Sequence, residues 1–286
     1  MHHAFPQRRL RSGLVPLGLA CALVLLPGCS QKDYDPTAGW SAERLYETAK
    51  RFMESAQFQQ AVDHFETLEA RYPFDPLAMQ AQLDIAYSYY RYGEHDSAIA
   101  AADRFIKLHP THEGVAYAYY LRGLVRYNLG RSFVNNVFPR DMSQMDQERL
   151  RKAFSDFRTV VTEHPDSRYA VDARKRLVYL RNKMAEHEYE TAEFYFRQSA
   201  FTAVVNRVDY LLAHYDGAPV MADALALQAR AYDRLGLSDL AADTRRVLAA
   251  SFPERADVAT ATDDDKAASK APAAQPPPDP PDAPGS

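Results

Sequence analysis

Two cysteines in 286 residues, Cys21 and Cys29, leave this sequence almost without thiol chemistry. So few cannot build a disulfide framework or a thiolate metal site. Glycine is scarce as well, at 11 residues, and neither a Walker A loop nor a G-x-G-x-x-G run occurs. The glycine-rich turns that cradle phosphates are therefore missing. G-x-S-x-G and H-E-x-x-H are also absent, which removes the usual signatures of serine hydrolases and zinc proteases. Basic charge is not in excess: 34 Lys and Arg stand against 38 Asp and Glu. That balance argues against nucleic acid, which needs a concentrated basic face. Two histidines, in His109-Pro110-Thr111-His112-Glu113, come nearest to a metal motif, but they straddle a proline, and Thr111 reads as a helix N-cap. The carboxylates are scattered as on solvated helix faces. No catalytic residue, metal or cofactor is expected, and the chain is not read as an enzyme.

What the sequence does contain is a repeated spacing. Ala61, Ala98, Ala153 and Ala241 each lie 12 residues before a proline that follows an aromatic or histidine: Tyr72-Pro73, His109-Pro110, His164-Pro165 and Phe252-Pro253. A fifth block, Ala203 to His214-Tyr215, is read in the same phase with the proline lost. The steps between these ends are 37, 55, 50 and 38 residues. Stacked helical hairpins of the tetratricopeptide kind repeat about every 34 residues. The short steps are one repeat each, and the long ones are one repeat plus an insertion. The first insertion falls at 132–149, inside repeat three. The second lies between Pro165 and Ala203, where residues 168–198 hold neither glycine nor proline and predict one long helix. Within each hairpin the first helix offers a small residue (Ala49, Ala86, Gly123, Ala229) opposite that of the second. Phe52 and Phe65, Tyr89 and Phe105, and Phe157 and Val160 are expected to fill the groove between them. Proline then ends the second helix, because it has no N–H and restricts its predecessor. The expected fold is an all-α solenoid of five helical hairpins that fold as a unit, since one hairpin cannot bury its apolar face alone.

Both ends differ from the middle. Arg8, Arg9 and Arg11 precede an apolar run at 13–26, which ends in Leu26-Pro27-Gly28-Cys29. The run is a secretory signal rather than a membrane span, for which it is too short. Its end is similar to a bacterial lipobox, so Cys29 is the expected lipid attachment site, and Ser30 after it resembles lipoproteins sent to the outer membrane. Without the signal, 31 basic residues face 38 acidic ones, a net charge of −7. From about residue 259 the chain turns to Ala, Pro and Asp, a composition that cannot bury enough apolar surface to order itself. The expected domains are a signal peptide at 1–28, a lipidated tether at 29–39, the repeat domain at 40–258 and a disordered tail at 259–286.

Tyrosine (18 residues) and phenylalanine (14) crowd the first helices. Tyr87, Tyr90 and Arg91 share a face by their spacing, and an amphipathic ring there suits an extended peptide. Arg207, in Val204-Val205-Asn206-Arg207-Val208, is read in the slot that Phe65 and Phe157 fill elsewhere. From that slot it has to reach solvent, a carboxylate or a partner.

The runs Arg71-Tyr72-Pro73-Phe74, Asp103-Arg104-Phe105-Ile106, Pro110-Thr111-His112, Arg122-Gly123-Leu124, Phe154-Ser155-Asp156-Phe157, Lys175-Arg176-Leu177-Val178 and Val204-Val205-Asn206-Arg207-Val208 together resemble the BamD family. Its members are lipoproteins of the machine that assembles β-barrel proteins into bacterial outer membranes. The resemblance implies a non-enzymatic scaffold, lipid-anchored on the periplasmic face. It implies that Asn206 and Arg207 meet the last periplasmic domain of the barrel-forming subunit, with accessory lipoproteins nearby. It also implies that unfolded outer-membrane clients dock on the N-terminal repeats, for which Tyr72, Phe74, Tyr87, Tyr90 and Arg91 are the candidates. Two other readings were weighed: a repeat lipoprotein of cell-wall synthesis or division, which would lack the Val-Val-Asn-Arg-Val run, and a solenoid hydrolase, for which no span is left to hold a catalytic domain.

Overall fold

A computed structural model describes residues 35–129 and 146–255. The signal, Cys29, most of the tether, the segment 130–145 and the tail lie outside the described residues. Two units are distinguished, Met1–Gly39 and Trp40–Ser286. In the first, Asp35 closes a small turn by accepting from the Thr37 amide (2.9 Å) and hydroxyl (2.7 Å).

The second unit is helical throughout its described length. Its elements are α1 (Ala42–Glu54), α2 (Phe58–Arg71), α3 (Pro76–Tyr92), α4 (His95–Leu108), α5 (Val115–Asn128), α6 (Gln147–Glu163), α7 (Ala170–Arg197), α8 (Phe201–His214), α9 (Met221–Arg234) and α10 (Ser238–Ser251), with a 3-10 turn at Pro253–Arg255. Neighbours in sequence pack as neighbours in space, and first helices also meet across repeats, α1 with α3 and α3 with α5. This is the five-hairpin solenoid: α1/α2, α3/α4, α5/α6, the second half of α7 with α8, and α9/α10.

Each hairpin is pinned by small residues where its two helices cross. Ala49, Ala61, Ala86, Ala98, Ala153, Ala229 and Ala241 are all buried. At Gly123 the crossing is closest, since a Cβ there would lie 2.9 Å from the Phe157 ring. The second helices end alike. Their C-caps Tyr72, His109, His164, Tyr215 and Phe252 all have φ between −134° and −128° and ψ between 45° and 62°. Each C-cap carbonyl accepts from the amide three residues on, at 2.9–3.1 Å.

That recurring cap corrects the register of repeat four. Tyr215 occupies the position of Tyr72 and His109, so Asp216, not Tyr215, replaces the proline. The buried residue of the crossing is Val204, fully enclosed, while Ala203 is only half-buried. Ala192, 12 residues before Val204, then supplies the first-helix small residue that the sequence reading left blank, and it too is fully buried. The steps become 37, 55, 51 and 37 residues. By the same shift Val208, buried, takes the Phe65 slot, and Arg207 lies one position outside it. Two further expectations change. The N-cap of α5 is Gly114, not Thr111, and its amide donates to His112 Nδ1 at 3.0 Å. The insertion of repeat three ends sooner than 149, because Asp146 caps α6 through the amides of Glu148 and Arg149.

In four of the five hairpins the turn has one left-handed residue five positions before the buried crossing residue. Gly93 (φ 91°) and Gly236 (φ 75°) supply it without strain. Ala56 (φ 57°) and Ser199 (φ 59°) do so with a Cβ in the way. Replacing Ala56 or Ser199 by glycine is therefore expected to raise stability by up to about 1 kcal/mol each, the αL penalty less the added chain entropy. Urea unfolding of the single variants measures it, and a lower midpoint in both would show that the turns carry no strain.

Candidate functional site

The first helices of repeats one to three carry a ladder of polar contacts. Tyr46 on α1 donates its hydroxyl to Asp84 Oδ2 on α3 at 2.8 Å. Lys50 Nζ stands 3.8 Å from the other carboxylate oxygen, an ion pair beyond hydrogen-bond reach. Asp84 is fully buried, and burial pushes its carboxyl up to about 6 against the opposing pull of Lys50 and Tyr46. Two turns further along α3, the Arg91 guanidinium donates to the Tyr87 hydroxyl at 2.6 Å and lies 5.4 Å from the centre of the Phe58 ring. Tyr90 accepts from Asn128 Nδ2 on α5 at 2.6 Å, which ties repeat two to repeat three.

The peptide-pocket candidates therefore fall into two groups. Tyr87, Tyr90 and Arg91 sit near the C-terminal end of α3. Tyr72 and Phe74 belong to the turn before its N-terminus, where Tyr72 donates to the Trp40 carbonyl at 2.7 Å. Phe74 is 97% exposed, the most open of the large apolar side chains among the described residues. At 1.5 Å per residue the two groups are separated by about 20 Å of helix. Sequence spacing could not show Trp40 or Asn128 as the groups that fix them, because both come from other helices or their approach.

Repeats two and three are held by charge as well as packing. Arg122 on α5 pairs with Asp103 on α4 and with Asp156 on α6, and Arg126 shares Asp156. The Arg122 guanidinium also covers the Tyr119 ring, 4.9 Å from its centre. Arg176, buried on α7, donates to Asp172 at 2.5 Å, while the Tyr120 hydroxyl donates to the same carboxylate at 2.6 Å. Four charged residues in the runs that first suggested a family are thus structural.

On α8, Asn206 is exposed and Arg207 is partly so. Arg207 Nη1 donates to Glu188 Oε2 on α7 at 2.7 Å. The two differ sharply in exposure: the Glu188 side chain is 6% exposed, that of Arg207 37%. A buried carboxylate thus holds a guanidinium that also meets the Tyr195 side chain and keeps over a third of its side chain exposed. Glu188 carried no signal in the sequence, since it lies 19 residues from Arg207 on another helix. Among the described residues no cluster of three or more metal-ligating side chains occurs, and no helix is long and apolar enough to cross a membrane.

Comparisons with known proteins add a family to this geometry. Residues 39–248 match the model of the YfiO family, described as outer membrane lipoprotein. The outer membrane protein assembly factor BamD of Neisseria meningitidis serogroup A is 40% identical over 240 residues, covering 84% of this chain and 90% of that protein. BamD of Xylella fastidiosa is 37% identical over 239 residues, with 82% and 81% covered. BamD of Vibrio cholerae is 35% identical over 227 residues, with 79% and 94% covered. Among solved structures, the TPR2AB domain of yeast Sti1 in its pHSP90 complex is a distant likeness, 17% identical, covering 74% of this chain and 78% of that one, with a TM-score of 0.41.

Asp84 makes stability depend on pH in a definite direction. Its carboxyl titrates near 3.8 when unfolded and at about 6 when folded. Between these values the folded state holds more protons, so stability falls as pH rises. The stability of wild type relative to Asp84→Asn should therefore decline from about pH 4 to about pH 6 and level off above. Urea unfolding across that range checks it, and a difference that stays flat would show that Asp84 does not titrate there.

Proposed function

The chain belongs to the BamD family of outer membrane lipoproteins, and on that premise we propose that its C-terminal repeats dock the barrel-forming subunit of the assembly complex while its N-terminal repeats receive unfolded clients. It is an outer membrane protein assembly factor, a helical scaffold and not an enzyme. The docking contact is assigned to Arg207 with Asn206 beside it, and the partner surface to an acidic one on the last periplasmic domain of that subunit. Accessory assembly lipoproteins are expected on the same half of the array.

One observation carries the docking assignment: the Arg207 guanidinium is held by buried Glu188 while its side chain stays 37% exposed. A guanidinium has five N–H donors in a fixed fork. A partner carboxylate need not take Arg207 away from Glu188, which would leave a buried charge uncompensated at about 3–5 kcal/mol. It only has to add acceptors on the exposed side. For the client, the two groups at either end of α3 match an extended strand of about six residues at roughly 3.3 Å per residue. Exposed Phe74 with Tyr72 would meet one end of such a strand, and Tyr87, Tyr90 and Arg91 the other. Cys29 is assigned as the lipid attachment site, which would place the repeats on the periplasmic face of the outer membrane.

The docking surface is tested with Arg207→Gln combined with Glu188→Gln, a pair that leaves no buried charge behind. The affinity of this variant for the purified periplasmic domains of the barrel-forming subunit should fall about tenfold, the equivalent of 1.4 kcal/mol. Its helix content by circular dichroism should match wild type, and unchanged affinity would remove Arg207 from the interface. Separately, Cys29→Ala should move the protein from the membrane to the soluble periplasmic fraction. Retention in the membrane pellet would contradict lipid anchoring.

A further inference from the structure

Helix α7 is twice the length of a regular repeat helix, 28 residues against 14 for α2, α4, α8 and α10. The extra length has a definite place in the repeat. The second turn of each inter-repeat connection ends on the amides of Ala78, Val115, Ala170 and Met221, which donate to the carbonyls three residues earlier. Eight residues beyond these anchors lie Ala86, Gly123, Val178 and Ala229. Three of the four are the small residues over which a second helix crosses, and all three are buried. Val178, the fourth, is 46% exposed. The buried small residue that α8 does cover on this helix, Ala192, comes 14 residues later.

The N-terminal half of α7 is therefore a complete first helix that pairs with α6 of the preceding repeat but, among the described residues, has no second helix of its own. Where the chain would turn and send one back, it continues straight for four more turns. The uncovered face runs through Val171, Arg174, Lys175 and Val178, spaced to form one stripe. Val171 is 63% exposed. Arg174 and Lys175 are exposed, and no ion pair or hydrogen bond holds either among the described residues. Two exposed apolar side chains seven residues apart thus flank two unpaired cations on one stripe of the helix.

We propose that this half-repeat is a berth for a second helix supplied by another polypeptide, an amphipathic helix with carboxylates along one edge. The shape follows from the array, in which every other first helix is covered at this position by a helix of about four turns. The charge follows from Arg174 and Lys175, which an acidic edge would pair. The apolar edge of the incoming helix would cover Val171 and Val178 as α8 covers Ala192. The berth lies on a different helix from Asn206 and Arg207, so it can be filled whether or not those residues form a contact.

Photo-crosslinking in the full-length protein in outer membranes tests it. A benzophenone side chain is placed at Val178, with a second variant at Val171 and a control at exposed Val247 on α10. The expected result is one adduct, common to positions 178 and 171 and absent at 247. Its cross-linked peptide is a helix-forming acidic segment of another protein. The adduct yield should fall at least about tenfold in the Arg174→Glu/Lys175→Glu background, whose thermal unfolding is unchanged. Adducts to lipid, to residues 130–145 or 259–286 of this chain, or to a second copy of it would each overturn the proposal. So would the lack of any adduct, or a yield indifferent to the charge reversal.

Discussion

Everything in this array depends on how closely two helices can cross. A small residue on each lets the backbones approach until large neighbours, Phe65, Phe105 and Phe157, close the groove completely. Gly123 marks the limit, with no room for even a methyl group beside Phe157. Because interiors are packed to crystal-like density, each crossing fixes the angle of its hairpin and hence where the next one starts. A solenoid stabilised by neighbour contacts transmits that geometry along its length. The candidate residues on α3 and α8 are placed by this chain of crossings.

Polar groups inside such an array are costly, and this one contains several. Asp84 with Tyr46 and Lys50, Arg176 with Asp172, and Glu188 with Arg207 all sit at contacts between helices. Each sets a buried charge against a partner from another helix or one turn away, although Lys50 stands too far from Asp84 to hydrogen-bond it, and this pairing makes the register of those helices specific. The Arg122 hub performs the same task around the repeat that bears the first insertion. Glu188 is the case where this internal bookkeeping reaches the surface, because it orients an arginine that remains open to a partner.

The two ends of the array differ in what they present. The N-terminal repeats offer aromatic rings with polar tips, already tied to Trp40, Phe58 and Asn128. The C-terminal repeats offer Arg207 on a fixed support, and α7 between them offers an uncovered half-repeat. On the proposed function, such a division would let a client and a partner be held at once.

The hairpins, their order, the long seventh helix and the small residues at four of the five crossings were legible in the sequence, because each is a local matter of spacing, proline and glycine. Repeat four was misread by one residue for the same reason. With Val204 in place of alanine and Asp216 in place of proline, Ala203 mimicked the pattern, and a spacing rule could not tell them apart. Only the packed structure decided the register, through the shared C-cap conformation and the burial of Val204 and Ala192. The pairing of Arg207 with Glu188, of Tyr90 with Asn128 and of Tyr72 with the Trp40 carbonyl was likewise beyond the sequence. Those contacts join residues 19 to 38 positions apart, and nothing in a chain's local periodicity specifies which side chains meet once its helices stack.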